Sequence, residues 1–272
     1  MGVFETEVQR GERFEFGKNW RSFLSTLTDK KIEIAESSLI ELLGVASLEG
    51  KKLLDIGSGS GLFSLASRKL GAEVRSFDFD PASVSCTKEL RSRYYSDDSK
   101  WIVTEGSILD EEFVKSLGCY DVVYSWGVLH HTGDMWTALD NAASLVNDDG
   151  FLLIAIYNDQ GRKSKFWTKV KKFYCSGALG KAIISGVFIP FFFSRSVFSS
   201  FLRRENEFAV YKRKRGMSIT HDWADWLGGF PFEVASVEQI FHFFQQRGFT
   251  LQNIKTTNGL GNNQFVFRKR SQ

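Results

Sequence analysis

Residues 53–64, LLDIGSGSGLFS, constrain the fold of this chain more than any other segment. An apolar run stops at three alternating glycines, Gly57, Gly59 and Gly61, and is followed by the helical pattern SLASRKLG. Glycine tolerates positive φ and lets backbone approach a ligand closely, so the segment reads as strand, tight loop and helix. The rhythm continues with EVRSFDFD as a strand, a helix around 81–95, a strand at 101–104, a shorter helix at 110–117, YDVVYSW as a strand, TALDNAASLV as a helix and FLLIAIYN as a strand. Strands that alternate with helices specify βαβ units and a parallel sheet covered on both faces. The predicted fold is α/β: a doubly wound, mostly parallel seven-stranded sheet with N-terminal helices and an inserted helical cap.

The 272 residues suit one large domain with an elaboration. Residues 1–48 read as an N-terminal helical segment, with two helices over 19–48 from the spacing of Ile32, Ile34, Leu39, Leu42 and Leu43. Residues 49–158 form the α/β core. From Asp159 the alternation stops, and 159–230 read as a basic, aromatic-rich insertion capping the carboxyl edge of the sheet. Residues 231–272 supply a helix in VASVEQIFHFFQQRGF and a hairpin from TLQNIKTT and NQFVFRK.

Net charge is +3, yet residues 159–216 hold 14 Lys and Arg against three acids. Such a segment is either a solvated surface or a docking face for an anionic partner. Its phenylalanines, including Phe188, Phe191, Phe192, Phe193, Phe198 and Phe201, lie between Lys171, Lys172, Arg203 and Arg204. They fit a peripheral membrane contact through 177–204, or packing on the domain itself or on a dimer mate. No stretch reaches 18 charge-free apolar residues, and the N-terminus lacks the apolar run of a signal peptide. Three scattered cysteines suggest neither a disulfide framework nor a zinc site. The expected location is cytoplasmic, with peripheral membrane contact left open, and no metal is expected.

Ligands of open α/β sheets sit beyond the carboxyl ends of the strands. The third glycine of the dinucleotide fingerprint is replaced by Leu62, and no G-K-[ST] follows, so a nucleoside without phosphates is favoured over NAD or ATP. Asp78 ends the second strand, where a carboxylate accepts both hydroxyls of a ribose. Asp80, before Pro81, reads as a helix cap. Asp55 reads as a group that orders the loop.

In that order, DIGSGSG, the acid of SFDFD, EGSILD and YDVVYSWGVLHH resemble the successive motifs of class I S-adenosylmethionine-dependent methyltransferases, over residues 50–158. Within that superfamily the chain is similar to the small-molecule branch that includes quinone and polyketide O-methyltransferases. The flanks NWRSFL and RGMSITHDWADWLGGFPFEVAS resemble a bacterial subgroup associated with surface-polysaccharide or secondary-metabolite genes. The resemblance implies S-adenosylmethionine as cofactor, with Asp55, Gly57, Ser58 and Gly59 around its methionine portion and Gly61 completing the loop. It further implies that Asp78 binds ribose, Phe79 flanks the adenine, and Gly106, Ser107 and Ile108 form the adenine edge pocket. Many relatives carry Asp where Ser107 stands. Trp126 and Gly127 would face the sulfonium.

Methyl transfer to a hydroxyl gains from a general base, and histidine is suited to neutral pH. His130 and His131 follow the fourth strand; adjacent side chains diverge, so either one of the pair faces the acceptor, with His131 preferred, or the pair is structural, a His hydrogen-bonded to backbone to shape the loop. His242 reads as part of a packed helix face. In HDWADWLGGFPFE, His221, Asp222 and Asp225 stand among Trp223, Trp226 and Phe230, which suits a sugar acceptor or the core of a lid. His221 or Asp222 is the alternative base, and Tyr157 and Asn158 are expected at the same edge. The expected partner is a small-molecule, sugar or lipid-linked acceptor, and a homodimer is open. Two other functions compete. Nucleic-acid methylation would use the basic insertion but is disfavoured, because Ser125-Trp126-Gly127-Val128 stands where such enzymes resemble Asn/Asp-Pro-Pro-aromatic. The other is a non-catalytic cofactor-binding module.

Overall fold

The computed structural model describes residues 2–203, 223 and 226–271. Three helices precede the sheet: α1 (Val3–Gln9), α2 (Gly17–Ser25) and α3 (Asp29–Leu43). The apolar spacing of α3 buries Ile32, Ala35, Leu39, Leu42 and Leu43, and the helix ends at Gly44 with φ 67°. Ile34, counted in the same stripe from sequence, is exposed instead. The alternation follows as β1 (Lys52–Ile56), α4 (Leu62–Lys69), β2 (Glu73–Asp78), α5 (Pro81–Tyr94), β3 (Trp101–Glu105), α6 (Glu111–Leu117), β4 (Tyr120–Trp126), α7 (Met135–Ser144) and β5 (Val146–Tyr157). After it come α8 (Arg162–Cys175), α9 (Ala178–Arg203), α10 (Val237–Gln245), β6 (Phe249–Lys255) and β7 (Asn262–Lys269).

The seven strands lie in the order β3-β2-β1-β4-β5-β7-β6. Pairings from β3 to β5 are parallel, and β7 runs antiparallel between β5 and β6. The fold is thus the mostly parallel α/β sheet expected from sequence. Alternate residues serve opposite faces: Leu54, Ile56, Val123, Leu152 and Ile154 join one core, while Leu53, Val122, Tyr124 and Leu153 join the other. Burial on both faces is what a parallel sheet between helix layers requires, and each large side chain contributes about 1.5–3 kcal/mol. From β1 the chain passes to β2 on one side, whereas β4 lies on the other. That reversal opens a crevice at the carboxyl ends of the central strands.

Among its described residues the insertion contains a pair of packed helices. The inward faces of α8 and α9 share a small separate core of Val170, Tyr174, Ile184 and Leu227, against which Trp167, Phe188, Phe192 and Trp226 pack. Residues Ala178–Ser200 are long and apolar enough, by length and composition, to cross a membrane, although Lys181 and Arg195 interrupt them. The short helix α1 was not anticipated, since seven residues give too few turns to show a period.

Candidate active site

A cavity of about 620 Å³ opens at the ends of β1, β2 and β4. Gly57 and Gly59 form part of its lining, with φ of 73° and 54°. A Cβ on Gly57 would stand 2.4 Å from the Val128 side chain, and one on Gly59 would stand 2.9 Å from the Trp20 indole. Both positions therefore need glycine for conformation and for space.

At the tip of β2, the Gly59 N–H donates to one oxygen of Asp78 at 2.9 Å and the Asp80 N–H donates to the other at 2.9 Å. Each oxygen keeps a further acceptor site, and the residue lines the cavity. Burial pushes the Asp78 carboxyl up to about 6, against the pull of those two N–H groups. Asp80 caps α5 by accepting from the Ala82 N–H at 2.8 Å, the role read from sequence, and also accepts from the Gly17 N–H at the start of α2 at 2.7 Å. Phe79 lines the cavity with its ring edge-on to Phe4 and beneath the Arg13 guanidinium, 4.9 Å from the ring centre. Gly106, Ser107 and Ile108 line the same end, beside Leu109, which was not foreseen. The Ser107 hydroxyl accepts from the Leu109 N–H at 3.1 Å, which leaves its proton and a second lone pair for a ligand.

Asp55, Ser58 and Gly61 lie beneath the loop rather than along the cavity. Asp55 accepts from the Ser64 hydroxyl, Ser64 and Ser76 share a hydrogen bond of 2.7 Å, and the Trp101 indole N–H donates to Ser76 at 2.9 Å. Burial raises the Asp55 carboxyl to about 7, and the nearby Asp78 adds to the rise. Ser58 bonds the Thr87 hydroxyl at 2.9 Å. These residues hold the loop from below.

The opposite end of the cavity is aromatic. Trp126 and Gly127 reach it from the end of β4, and Trp126 stacks with Tyr124 at 5.9 Å. His131, in a 3-10 turn after β4, lines the cavity with its Nδ1 2.5 Å from the Pro231 carbonyl oxygen. A carbonyl only accepts, so Nδ1 carries the proton and Nε2 keeps its lone pair. Burial pulls the imidazole down to about 3, and the charges of Lys171 and Arg13 act in the same direction. It is therefore neutral throughout the physiological range. His130 is separated from it: fully buried, absent from the cavity lining, and packed between the rings of His131 and Tyr157 at 4.5 and 4.3 Å. Burial holds His130 well below its ordinary value; a polar contact with the Ala155 backbone opposes this without reaching full hydrogen-bond geometry.

His221, Asp222 and Asp225 lie outside the described residues, whereas their neighbours Trp223 and Trp226 line the cavity. Tyr157 lines it too. Asn158 turns instead to the C-terminal hairpin, donating to the Thr257 carbonyl at 2.9 Å and accepting from Asn263 at 3.1 Å. His242 is exposed on α10, opposite Glu238, and not packed as its spacing implied.

Two cationic residues of the site escaped the sequence reading. Lys171 is only 1% exposed; its ammonium donates to the Trp226 carbonyl and sits over the rings of Trp226 and Phe232, 4.2 and 4.8 Å from their centres. A signal existed, because Lys171 stands four residues after Trp167 and three before Tyr174, on the apolar stripe of α8. Arg13 donates to the carbonyls of His131 and Thr132 at 2.8 and 3.1 Å and pairs with Glu7 at 2.6 Å. It lies in a connection with no periodicity, and nothing local marks it.

A family model described as a methyltransferase domain matches residues 29–253. The ubiquinone biosynthesis O-methyltransferase of Cupriavidus pinatubonensis is 33% identical over 117 residues, which are 42% of this chain and 45% of that protein. The ribosomal protein L11 methyltransferase of Helicobacter hepaticus is 39% identical over 72 residues, 26% of this chain and 22% of that one. The chain thus spans less than half the length of these curated relatives. Among solved structures, magnesium protoporphyrin IX methyltransferase from Synechocystis PCC 6803 with bound SAH shares the fold, with a TM-score of 0.53, 13% identity, and coverage of 88% of this chain and 83% of that one. With the glycine loop, the Asp78 tip and the seven-stranded sheet in place, the match over 29–253 means that the chain belongs to the methyltransferase domain family.

Proposed function

We propose that this protein transfers the methyl group of S-adenosylmethionine to a hydroxyl oxygen of a small-molecule or glycan acceptor. One observation supports the reading: a single cavity is lined by Asp78 and the glycine loop and also by His131, whose Nδ1 is engaged by the Pro231 carbonyl and whose Nε2 keeps its lone pair. S-adenosylmethionine fits the first end. The two open acceptor sites on Asp78 match a vicinal diol, the glycines admit close approach, and the loop lacks the third glycine of a pyrophosphate site.

When bound, the cofactor supplies an electrophilic methyl group on a sulfonium centre. The chain's own work is to align and to dry the site. Trp126 offers a π face near the cation, an attraction of roughly 0.5–2 kcal/mol. Phe16, Tyr157 and Trp226 line the acceptor end with apolar rings. His131 Nε2 accepts the hydrogen bond of the incoming hydroxyl, which points an oxygen lone pair at the methyl carbon. As the acceptor oxygen is methylated, His131 Nε2 would take the hydroxyl proton and release it to solvent when the product leaves. The low basicity of the buried imidazole makes this a transfer concerted with attack rather than a prior ionisation. Alignment is the larger contribution, up to roughly 7–11 kcal/mol for well-oriented groups.

Calorimetric titration with S-adenosylhomocysteine tests the first half; saturable one-to-one binding is expected, and no heat above background removes the proposal. Transfer of labelled methyl into hydroxyl-bearing acceptors tests the second. Recovery of the label as a methyl ether is expected, whereas label on nitrogen or carbon assigns the chemistry elsewhere.

A further inference from the structure

Nine of the 14 exposed large apolar side chains among the described residues fall between Phe166 and Phe198. On α9, Leu179, Ile183, Val187, Phe191 and Phe198 recur at intervals of four and seven and so share one side of the helix. The other side, through Ile184, Phe188 and Phe192, already packs on α8 and on Leu227 and Trp226. An ordinary surface helix has one apolar face, toward its core. Here a second apolar face looks outward, along a segment of which only 11% is buried.

We propose that this outward face of α9 beds into the surface of an anionic lipid bilayer. The charge pattern selects that partner. Between Gln160 and Arg203 the sequence holds nine Lys and Arg and no acid. Arg162, Lys163, Lys165, Lys169, Lys181 and Arg195 are exposed on the two helices. A second copy of the chain would bring the same positive sign against this face, whereas anionic headgroups neutralise it and the acyl boundary takes the phenylalanines. Because one side of α9 is fixed to α8, the helix lies along the membrane surface, with hydrocarbon on its outer side alone.

The docked face connects to the cavity through the inner side of the helix, where the Phe191 ring meets that of Phe192 at 5.9 Å. Phe192 contacts Trp223 at 5.8 Å and Trp167 contacts Trp226 at 5.4 Å, and both Trp223 and Trp226 line the cavity. Resting on the proposed methyl transfer, this connection assigns the acceptor to a class that is carried in the lipid surface by an apolar portion and presents a hydroxyl-bearing head.

Co-sedimentation of the full chain with phosphatidylcholine vesicles, with and without phosphatidylglycerol, tests the docking. Binding to the phosphatidylglycerol vesicles at least about tenfold tighter, and weakened by salt, is expected. The double variant Phe191→Asp, Phe198→Asp changes side chains that are 59% and 62% exposed, so it should fold, bind S-adenosylhomocysteine as the parent does, and lose about tenfold or more in vesicle binding. Equal binding to both vesicle types, or a double variant that binds vesicles as well as the parent, overturns the proposal. So does a dimer in light scattering that the double variant dissolves while vesicles capture neither form. Failure of S-adenosylhomocysteine to bind would remove the methyltransferase reading and leave the vesicle result standing.

Discussion

At the nucleoside end of the cavity, the principal polar groups come from one stretch of chain, Gly57 to Asp80: loop N–H groups and a carboxylate at the tips of two adjacent parallel strands. At the acceptor end, Phe16, His131, Tyr157, Lys171 and Trp226 come from five separate segments and meet mainly through ring contacts. The first end is fixed by backbone geometry and admits little substitution. The second is fixed by side-chain packing, which can be re-cut for a new acceptor without disturbing the sheet. An enzyme family that keeps one cofactor and changes acceptors needs this division of labour.

The sharpest way to break the comparison is Asp78→Ala. If the nucleoside end depends on two charge-assisted hydrogen bonds, each worth about 1.5–3 kcal/mol, S-adenosylhomocysteine affinity should drop roughly 100- to 10,000-fold by calorimetry. A drop under about fivefold would mean that the ring contacts, not the carboxylate, hold the nucleoside. Next in size, His131→Asn keeps a donor for the Pro231 carbonyl and removes the basic nitrogen. Turnover should fall about 100-fold or more with cofactor affinity unchanged, and intact turnover would leave alignment alone as the source of rate.

A pH titration separates the ends further. The Asp78 carboxyl, raised to about 6, would have to be ionised to accept both hydroxyls of a bound ribose. Cofactor affinity should be level above pH 7 and fall by about tenfold for each unit below 6, because the neutral acid gains a proton that binding must remove. The buried His131, near 3, should add no inflection to turnover between pH 6 and 9. The smallest expected effect is that of Arg13→Ala, which removes two bonds to the turn carrying His131. Both cofactor dissociation and acceptor KM should rise about three- to tenfold, at about 0.5–1.5 kcal/mol per hydrogen bond. A change in only one of them would show that the two ends are independent.

Much of this molecule can be read from the amino-acid order, for a physical reason. The glycine loop, Asp78 and the β4 end announce themselves because strand, turn and helix follow one another within a few residues, and each has a local period or a conformational requirement. Position within the loop was less legible. Asp55 and Ser58 share the motif with Gly57 and Gly59, but the alternation of a strand and its turn sends them under the loop. His130 and His131 could be separated only by knowing which ring the Pro231 carbonyl meets, a contact across 100 residues. Arg13 and Lys171 were missed because their roles come from tertiary neighbours, although Lys171 left a trace as a cation on an apolar stripe.

Arg13 joins what the rest of the architecture keeps apart. Its guanidinium covers the Phe79 ring at one end while holding the carbonyls of the His131 turn at the other. A shift of the Phe79 ring is therefore transmitted through one side chain to the backbone that carries His131.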